Sequence, residues 1–174
     1  MACICPLILM GILYGQEDQY FINDLKIEGN ESISKNEILF IVRQRPPNFF
    51  FRRPKFDPRL LRLDALTLKN YYYSKGFLDV VINESYIIKD NSNKNNFVDI
   101  LYKVVEGKQY HLSKVHINGN ELLSRKKVTK LLGLKINAPY NPVGLNDNLY
   151  LLENEYQNLG KLFAAISIKD DIKD

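Results

Sequence analysis

Tryptophan is absent from this chain, and its two cysteines, Cys3 and Cys5, both stand among the first few residues. Everything after them is thiol-free, which excludes a disulfide framework and any thiolate metal site in the folded part. A thiol-free body also fits an oxidising compartment. Histidine is equally scarce. His111 and His116 lie in or beside a strand that turns Val115 and Ile117 to its other side, and no carboxylate or cysteine cluster accompanies them. A solvent-facing position explains them better than a metal ligand or a base. The nine glycines punctuate turns and form no phosphate loop. No catalytic constellation emerges, so no enzymatic activity, cofactor or metal is expected. A net charge of +4 is too mild to imply a nucleic-acid or membrane surface by itself.

One long apolar run is present, from Ala2 to Tyr14, followed by Gly15 and polar Gln16-Glu17-Asp18-Gln19. It is too short to span a bilayer and suits the hydrophobic centre of a secretory signal. No Lys or Arg precedes it, and Leu13 is a poor residue three before a cut after Gly15. A mis-assigned start or a buried strand are the alternatives. Residues 1–15 are expected to be a signal peptide, and not a lipoprotein signal, because neither cysteine follows the apolar stretch.

What the chain does have is a phrase written twice. Ile27-Glu28-Gly29-Asn30-Glu31-Ser32-Ile33-Ser34 returns as Ile117-Asn118-Gly119-Asn120-Glu121-Leu122-Leu123-Ser124, a displacement of 119 − 29 = 90 residues. Further on, Phe56-Asp57-Pro58 and Tyr140-Asn141-Pro142 run, after equal spacing, into Gly76-Phe77-Leu78 and Gly160-Lys161-Leu162. Landmarks recurring in one order mean two copies of one supersecondary unit. For 174 residues of ordinary globular composition, 45% hydrophobic and 25% charged, that gives two modules of modest core.

Periodicity fills in each copy. Tyr20 to Glu28 alternates as a half-buried strand, with Phe21, Leu25 and Ile27 on one side. Gly29-Asn30 ends it, and Ser34 with Glu37 reads as a capping box for a short helix through Val42, stopped by Pro46-Pro47. Asp57-Pro58 opens a long helix whose stripe is Leu61, Ala65, Leu68 and Tyr72, closed by Gly76. Strands follow at Leu78 to Lys89 and Phe97 to Val105, joined by a hairpin over Asp90 to Asn96. The second copy offers a strand at Tyr110 to Asn118 and a short helix from Ser124 to Leu132. A long helix behind Asn141-Pro142 follows, striped by Leu145, Leu149, Leu152, Tyr156 and Leu159. One strand at Leu162 to Lys169 completes it, with no counterpart of Phe97 to Val105 after that.

In this order the landmarks resemble the POTRA domain, the polypeptide-transport-associated module of BamA-type outer-membrane assembly factors. The resemblance rests on the strands ending in Gly29-Asn30 and Gly119-Asn120, and on Tyr71-Tyr72-Tyr73-Ser74-Lys75-Gly76-Phe77 at the end of the long helix. It rests too on the module boundary Val105-Glu106-Gly107-Lys108-Gln109-Tyr110. It implies an α+β fold of tandem β-α-α-β-β modules, each a three-stranded mixed sheet covered by two antiparallel helices. They are expected at residues 20–108 and 109–174, the second without its last strand. In the family that strand lies in the middle of the sheet, so Tyr110–Asn118 and Leu162–Lys169 are expected to be left unpaired. The chain is therefore expected to be a fragment of a longer protein or a truncated reading frame.

The resemblance further implies a periplasmic, non-enzymatic scaffold, tethered to the bacterial outer membrane by a β-barrel encoded C-terminal to it. Its partners would be unfolded outer-membrane proteins and accessory assembly subunits. An edge strand presenting Val80, Ile82, Glu84, Tyr86 and Ile88 offers a free row of backbone groups to which an extended client could add. An ordinary edge protected by Asn83, Glu84 and Lys89 is the plain alternative. A loop with Phe49, Phe50, Phe51, Arg52 and Arg53, among Arg43, Arg45, Arg59 and Arg62, is the second contact region. There Phe51 or Phe56 is expected to plug the module's own core, while Phe49, Phe50, Arg52 and Arg53 meet a partner. Asn30-Glu31-Ser32 and Asn83-Glu84-Ser85 match a glycosylation tripeptide, a cheap pattern that a turn already accounts for at the first of them. Two other readings remain: a two-partner-secretion transporter, which also carries such modules, and a small nucleic-acid-binding domain. Against the latter stand the apolar head and the lack of an aromatic-basic strand motif, so no nucleic-acid partner is expected.

Overall fold

The computed structural model describes residues 19–48, 50, 53–89 and 96–173; the expected signal peptide lies outside them, as does the hairpin turn at 90–95. Along the chain run β1 (Tyr20–Glu28), α1 (Lys35–Ile41), α2 (Pro58–Ser74), β2 (Val81–Lys89), β3 (Asn96–Val105), α3 (Arg125–Leu131) and α4 (Pro142–Asn158).

Polar side chains at equivalent positions start the helices of both copies. The Glu37 N–H donates to Ser34 Oγ at 3.2 Å, and the Lys127 N–H donates to Ser124 Oγ at 3.3 Å. Asp57 accepts the Arg59 N–H at 2.8 Å, and Asn141 accepts the Gly144 N–H at 2.7 Å. Each cap satisfies a donor that a helix start otherwise leaves without an intrahelical partner. The turn before each short helix is repeated to the same accuracy. Asn30 Nδ2 donates to the Ile33 carbonyl and Asn120 Nδ2 to that of Leu123, both at 2.9 Å. Only half of the expected capping box forms, because the Glu37 carboxylate turns away to the Tyr71 hydroxyl and to Lys75.

The three strands form one sheet in the order β1-β3-β2, with β1 parallel and β2 antiparallel to the central β3. Val98, Ile100, Tyr102 and Val104 of β3 alternate inward and are all buried, meeting Leu61, Ala65, Leu68 and Tyr72 of α2 in one core. β1 departs from the expected alternation. A register shift between Ile22 and Asp24 brings Ile22, not Phe21, to the buried face alongside Leu25. Such an irregularity re-aims side chains in a way no period-2 pattern predicts.

Copy two packs Leu123, Val128, Leu132, Leu145 and Leu152 into a smaller core of its own. Leu159, expected on the stripe of α4, is instead 47% exposed at the helix end. Tyr110–Asn118 and Leu162–Lys169, expected as strands, belong to no ladder among the described residues, apart from a single bridge between His111 and Pro139, and Leu162 and Phe163 lie in a turn. Backbone pairing needs a neighbour, and the central one is not among the described residues.

Glu106 shows what the Glu-Gly boundary does. Its carboxylate accepts the Ser32 N–H with both oxygens at 3.0 Å and the Tyr72 hydroxyl at 3.0 Å, tying the turn after β1 to the end of α2. Burial, then the adjacent Glu106, push the Tyr72 phenol well above its ordinary range. Glu106→Ala strands a buried hydroxyl, and chemical denaturation is expected to show a loss of about 1–3 kcal/mol. An unchanged midpoint would remove Glu106 from the account of module closure.

Candidate functional site: the outer edge of the sheet

A three-stranded sheet has two edges, and this one treats them differently. On the β1 side the chain covers the start of the edge, over Tyr20 to Ile22. The Ile22 N–H donates to the Pro54 carbonyl at 2.8 Å, the Phe56 N–H donates to the Tyr20 carbonyl at 2.9 Å, and Phe21 bridges Lys55 in antiparallel sense. On the β2 side no further strand follows among the described residues. β2 pairs with β3 from Val81 to Lys89 along one flank only, so its other row of N–H and C=O groups faces outward over nine residues.

The expected edge residues divide accordingly. Ile82 and Glu84 are half-buried on the helix side of β2. Tyr86 lays its ring against Phe56, with centroids 4.7 Å apart, yet stays 43% exposed, and Ile88 is 51% exposed. Val80 is a correction. The strand begins at Val81, and Val80 precedes it at 2% exposure, so it serves the core and has no edge to offer. Ile87, 65% exposed on the opposite face, was missed. An alternation argument credits only one parity of a strand, whereas the far end of this hairpin leaves both faces in solvent. Tyr86, Ile87 and Ile88 thus form a short apolar run on a strand paired along one flank only.

Charge at this end is modest and local. Lys89 Nζ lies 3.2 Å from Asp99 across the β2–β3 pair, and Asn23 Nδ2 donates to Asp99 at 2.7 Å from β1. The Asn23 amide, then Lys89, hold the Asp99 carboxyl below the usual carboxylate range. The ion pair is solvent-exposed and contributes little to stability.

The basic aromatic loop is described only in part. Phe50 is 85% exposed and its N–H donates to Asn48 Oδ1 at 3.0 Å. Arg53 is exposed, while Phe49, Phe51 and Arg52 lie outside the described residues. Phe56 packs against the core of copy one, as one of the two expected plugs. His111 and His116 are both exposed. Among the described residues no three His, Cys, Asp or Glu side chains gather as a metal site, and no helix is long and apolar enough to cross a membrane.

Comparison with known proteins places this geometry in context. The family model POTRA, described as a surface antigen variable number repeat, matches residues 20–107 and again 110–174. The chain is 30% identical over 161 residues to the outer membrane protein assembly factor BamA of Buchnera aphidicola, covering 91% of this chain and 25% of that protein. It is 24% identical over 140 residues to a putative outer membrane protein assembly factor of Treponema pallidum, covering 79% of this chain and 17% of that one. It thus spans a quarter or less of the length of these relatives. Among solved structures, POTRA3-5 of Haemophilus influenzae BamA superposes with a TM-score of 0.53 at 20% identity, covering 86% of this chain and 58% of that one. POTRA1-2 of the periplasmic domain of Omp85 from Anabaena does so with a TM-score of 0.50 at 14% identity, covering 89% of both chains. At these identities the structural likeness speaks for the fold alone.

Proposed function

Because the chain belongs to the POTRA family, we propose that it is the client-receiving scaffold of an outer-membrane protein assembly factor, working by β-augmentation on β2. The observation that carries this reading is the open row of backbone groups along Val81–Lys89, beside exposed Tyr86, Ile87 and Ile88. An edge of this kind is a template for another strand. Its backbone hydrogen bonds are indifferent to client sequence, which suits a receiver of many unfolded polypeptides, and the side chains at 82, 84, 86 and 88 supply a shallow preference.

In this proposal the modules work in the periplasm, in front of a membrane β-barrel belonging to a longer protein of the BamA kind, and no step requires a catalytic group. The loop bearing Phe49, Phe50, Arg52 and Arg53 serves as a docking point for an accessory subunit, supported by the exposure of Phe50 and Arg53.

Proline tests the edge. Adjacent residues of a strand direct their N–H groups to opposite sides, so one of Tyr86→Pro and Ile87→Pro removes only an outward donor and leaves the β2–β3 ladder intact. That variant is expected to stay folded and to lose most of its crosslinking to an extended outer-membrane-protein peptide carrying a photoreactive group. Undiminished crosslinking in both variants, with the β3 amides still protected from exchange, would sink β-augmentation.

A further inference from the structure

The chain places its two kinds of cation differently. Six of its seven arginines, Arg43, Arg45, Arg52, Arg53, Arg59 and Arg62, stand between residues 43 and 62, where only one of its seventeen lysines, Lys55, is found. The fold gathers this stretch at one end of copy one. The Arg43 and Gln44 N–H groups donate to Asp64 at 2.9 Å each, and the Asp57 N–H donates to Gln44 Oε1 at 3.2 Å, so the end of α1 is tied to the start of α2. The two acids between residues 43 and 64 are already engaged. Asp57 caps α2 and meets Arg59 at 3.4 Å, and Asp64 is buried against backbone donors. Arg43, Arg53 and Arg62 are exposed, with no carboxylate at ion-pair distance among the described residues. Phe40, in the last turn of α1, is 85% exposed, and its carbonyl accepts from Arg45 Nη2 at 3.4 Å.

We propose that this end of copy one docks a protein partner presenting carboxylates around an apolar pocket. Arg43, Arg53 and Arg62 pair with the carboxylates, and Phe40 fills the pocket. The proposal builds on the reading of the adjoining loop as a docking point and names the chemistry of what docks. The preference for arginine decides that chemistry. Solvation of a surface, attraction to an anionic bilayer and contact with nucleic-acid phosphates are served by lysine and arginine alike. Elsewhere this chain uses lysine, as sixteen of its lysines against Arg125 alone show. A guanidinium differs in its planar fork, which grips a carboxylate through two parallel hydrogen bonds, and in its weaker hydration, which makes it easier to cover. Exposed phenylalanine beside arginine, with lysine scarce, is also the composition of a protein–protein interface.

A random peptide library displayed on phage and panned on the whole chain supplies the probes. The enriched clones are expected to include a group in which Asp and Glu flank an apolar residue. Synthetic peptides of that group should bind at least about tenfold more weakly to a chain carrying Arg43→Lys, Arg53→Lys and Arg62→Lys, and to a Phe40→Ala chain, the size of a lost hot-spot contact. The lysines keep the charge, so this loss reads the fork and not the field. The Tyr86→Pro and Ile87→Pro chains should bind the same peptides unchanged, which separates this surface from the β2 edge. Phe50→Ala tests the loop alone: if binding is unchanged there while the arginine dependence holds, the loop reading fails and this proposal stands. Absence of an acidic group of clones, equal binding to the arginine and lysine chains, or loss of binding in the proline chains would each overturn it. So would tight binding of phosphatidylglycerol vesicles that the three lysines abolish, which would make a lipid phosphate the ligand.

Discussion

Gly29→Ala is expected to disrupt module one, while Gly119→Ala, the same change in the repeated phrase, is expected to be mild. Both glycines sit at positive φ, +79° and +73°, where an L side chain is strained by roughly 1–2 kcal/mol. Their surroundings differ. A Cβ on Gly29 would stand 2.1 Å from the carbonyl oxygen of Val104 in β3, whereas nothing lies within 4 Å of one on Gly119. The obstacle at Gly29 is backbone in the central strand, which cannot step aside as a flexible side chain can. Overpacking of this sort adds roughly 1–3 kcal/mol to the strain. The sum, roughly 2–5 kcal/mol, is a large share of what a domain of this size has. Urea denaturation followed by far-UV circular dichroism, with amide exchange reporting which copy opens, distinguishes the two variants. Equal losses at the two positions would mean that the close approach to Val104 has no energetic consequence.

That contrast marks the boundary of what the sequence discloses. Gly29-Asn30 and Gly119-Asn120 are legible as turns because positive φ and the Asn side-chain bond to residues 33 and 123 are local demands. Helix starts at Ser34, Asp57, Ser124 and Asn141 are legible for the same reason: each cap bonds an N–H within three residues. What those turns pack against is not local. The approach of Gly29 to Val104 joins residues 104 − 29 = 75 positions apart, and the cover of the start of the β1 edge by Pro54–Phe56 joins residues 54 − 22 = 32 and 56 − 20 = 36 apart. The register shift in β1, which replaces Phe21 by Ile22 on the core face, has no local signal either. The edge of β2 stood halfway. Its existence follows from the family order of strands, but the apolar run Tyr86, Ile87, Ile88 depends on how far the hairpin outreaches the helices, which period-2 reasoning does not address.

Asp64 was legible and overlooked. It lies three after Leu61 and four before Leu68, inside the stripe of α2 that the periodicity turns to the core, and it is 1% exposed. A carboxylate there needs partners, and it has them. It accepts the Arg43 N–H and the Gln44 N–H at 2.9 Å each, with the Tyr102 hydroxyl at 3.5 Å. The reason lies in how α1 ends. Val42 leaves the helix in extended geometry, φ −70° and ψ 148°, so the next two N–H groups cannot turn back to helix carbonyls. In copy two the corresponding groups do turn back: the Gly133 N–H donates to the Lys130 carbonyl at 3.2 Å and the Leu134 N–H to that of Thr129 at 2.9 Å. The counterpart of Asp64, 84 positions on, is Asn148. A neutral side chain suffices where the helix end satisfies itself. Asp64→Ala is accordingly expected to destabilise copy one by about 3 kcal/mol or more, since two backbone donors and a buried phenol lose their acceptor together. Asp64→Asn keeps one acceptor oxygen and should recover part of that loss, while Asn148→Ala should cost well under about 1 kcal/mol. Denaturation midpoints of the three variants settle the matter. If Asn148→Ala proves as damaging as Asp64→Ala, the two positions do the same task, and the difference between the two helix ends is not what selects an acid at one and an amide at the other.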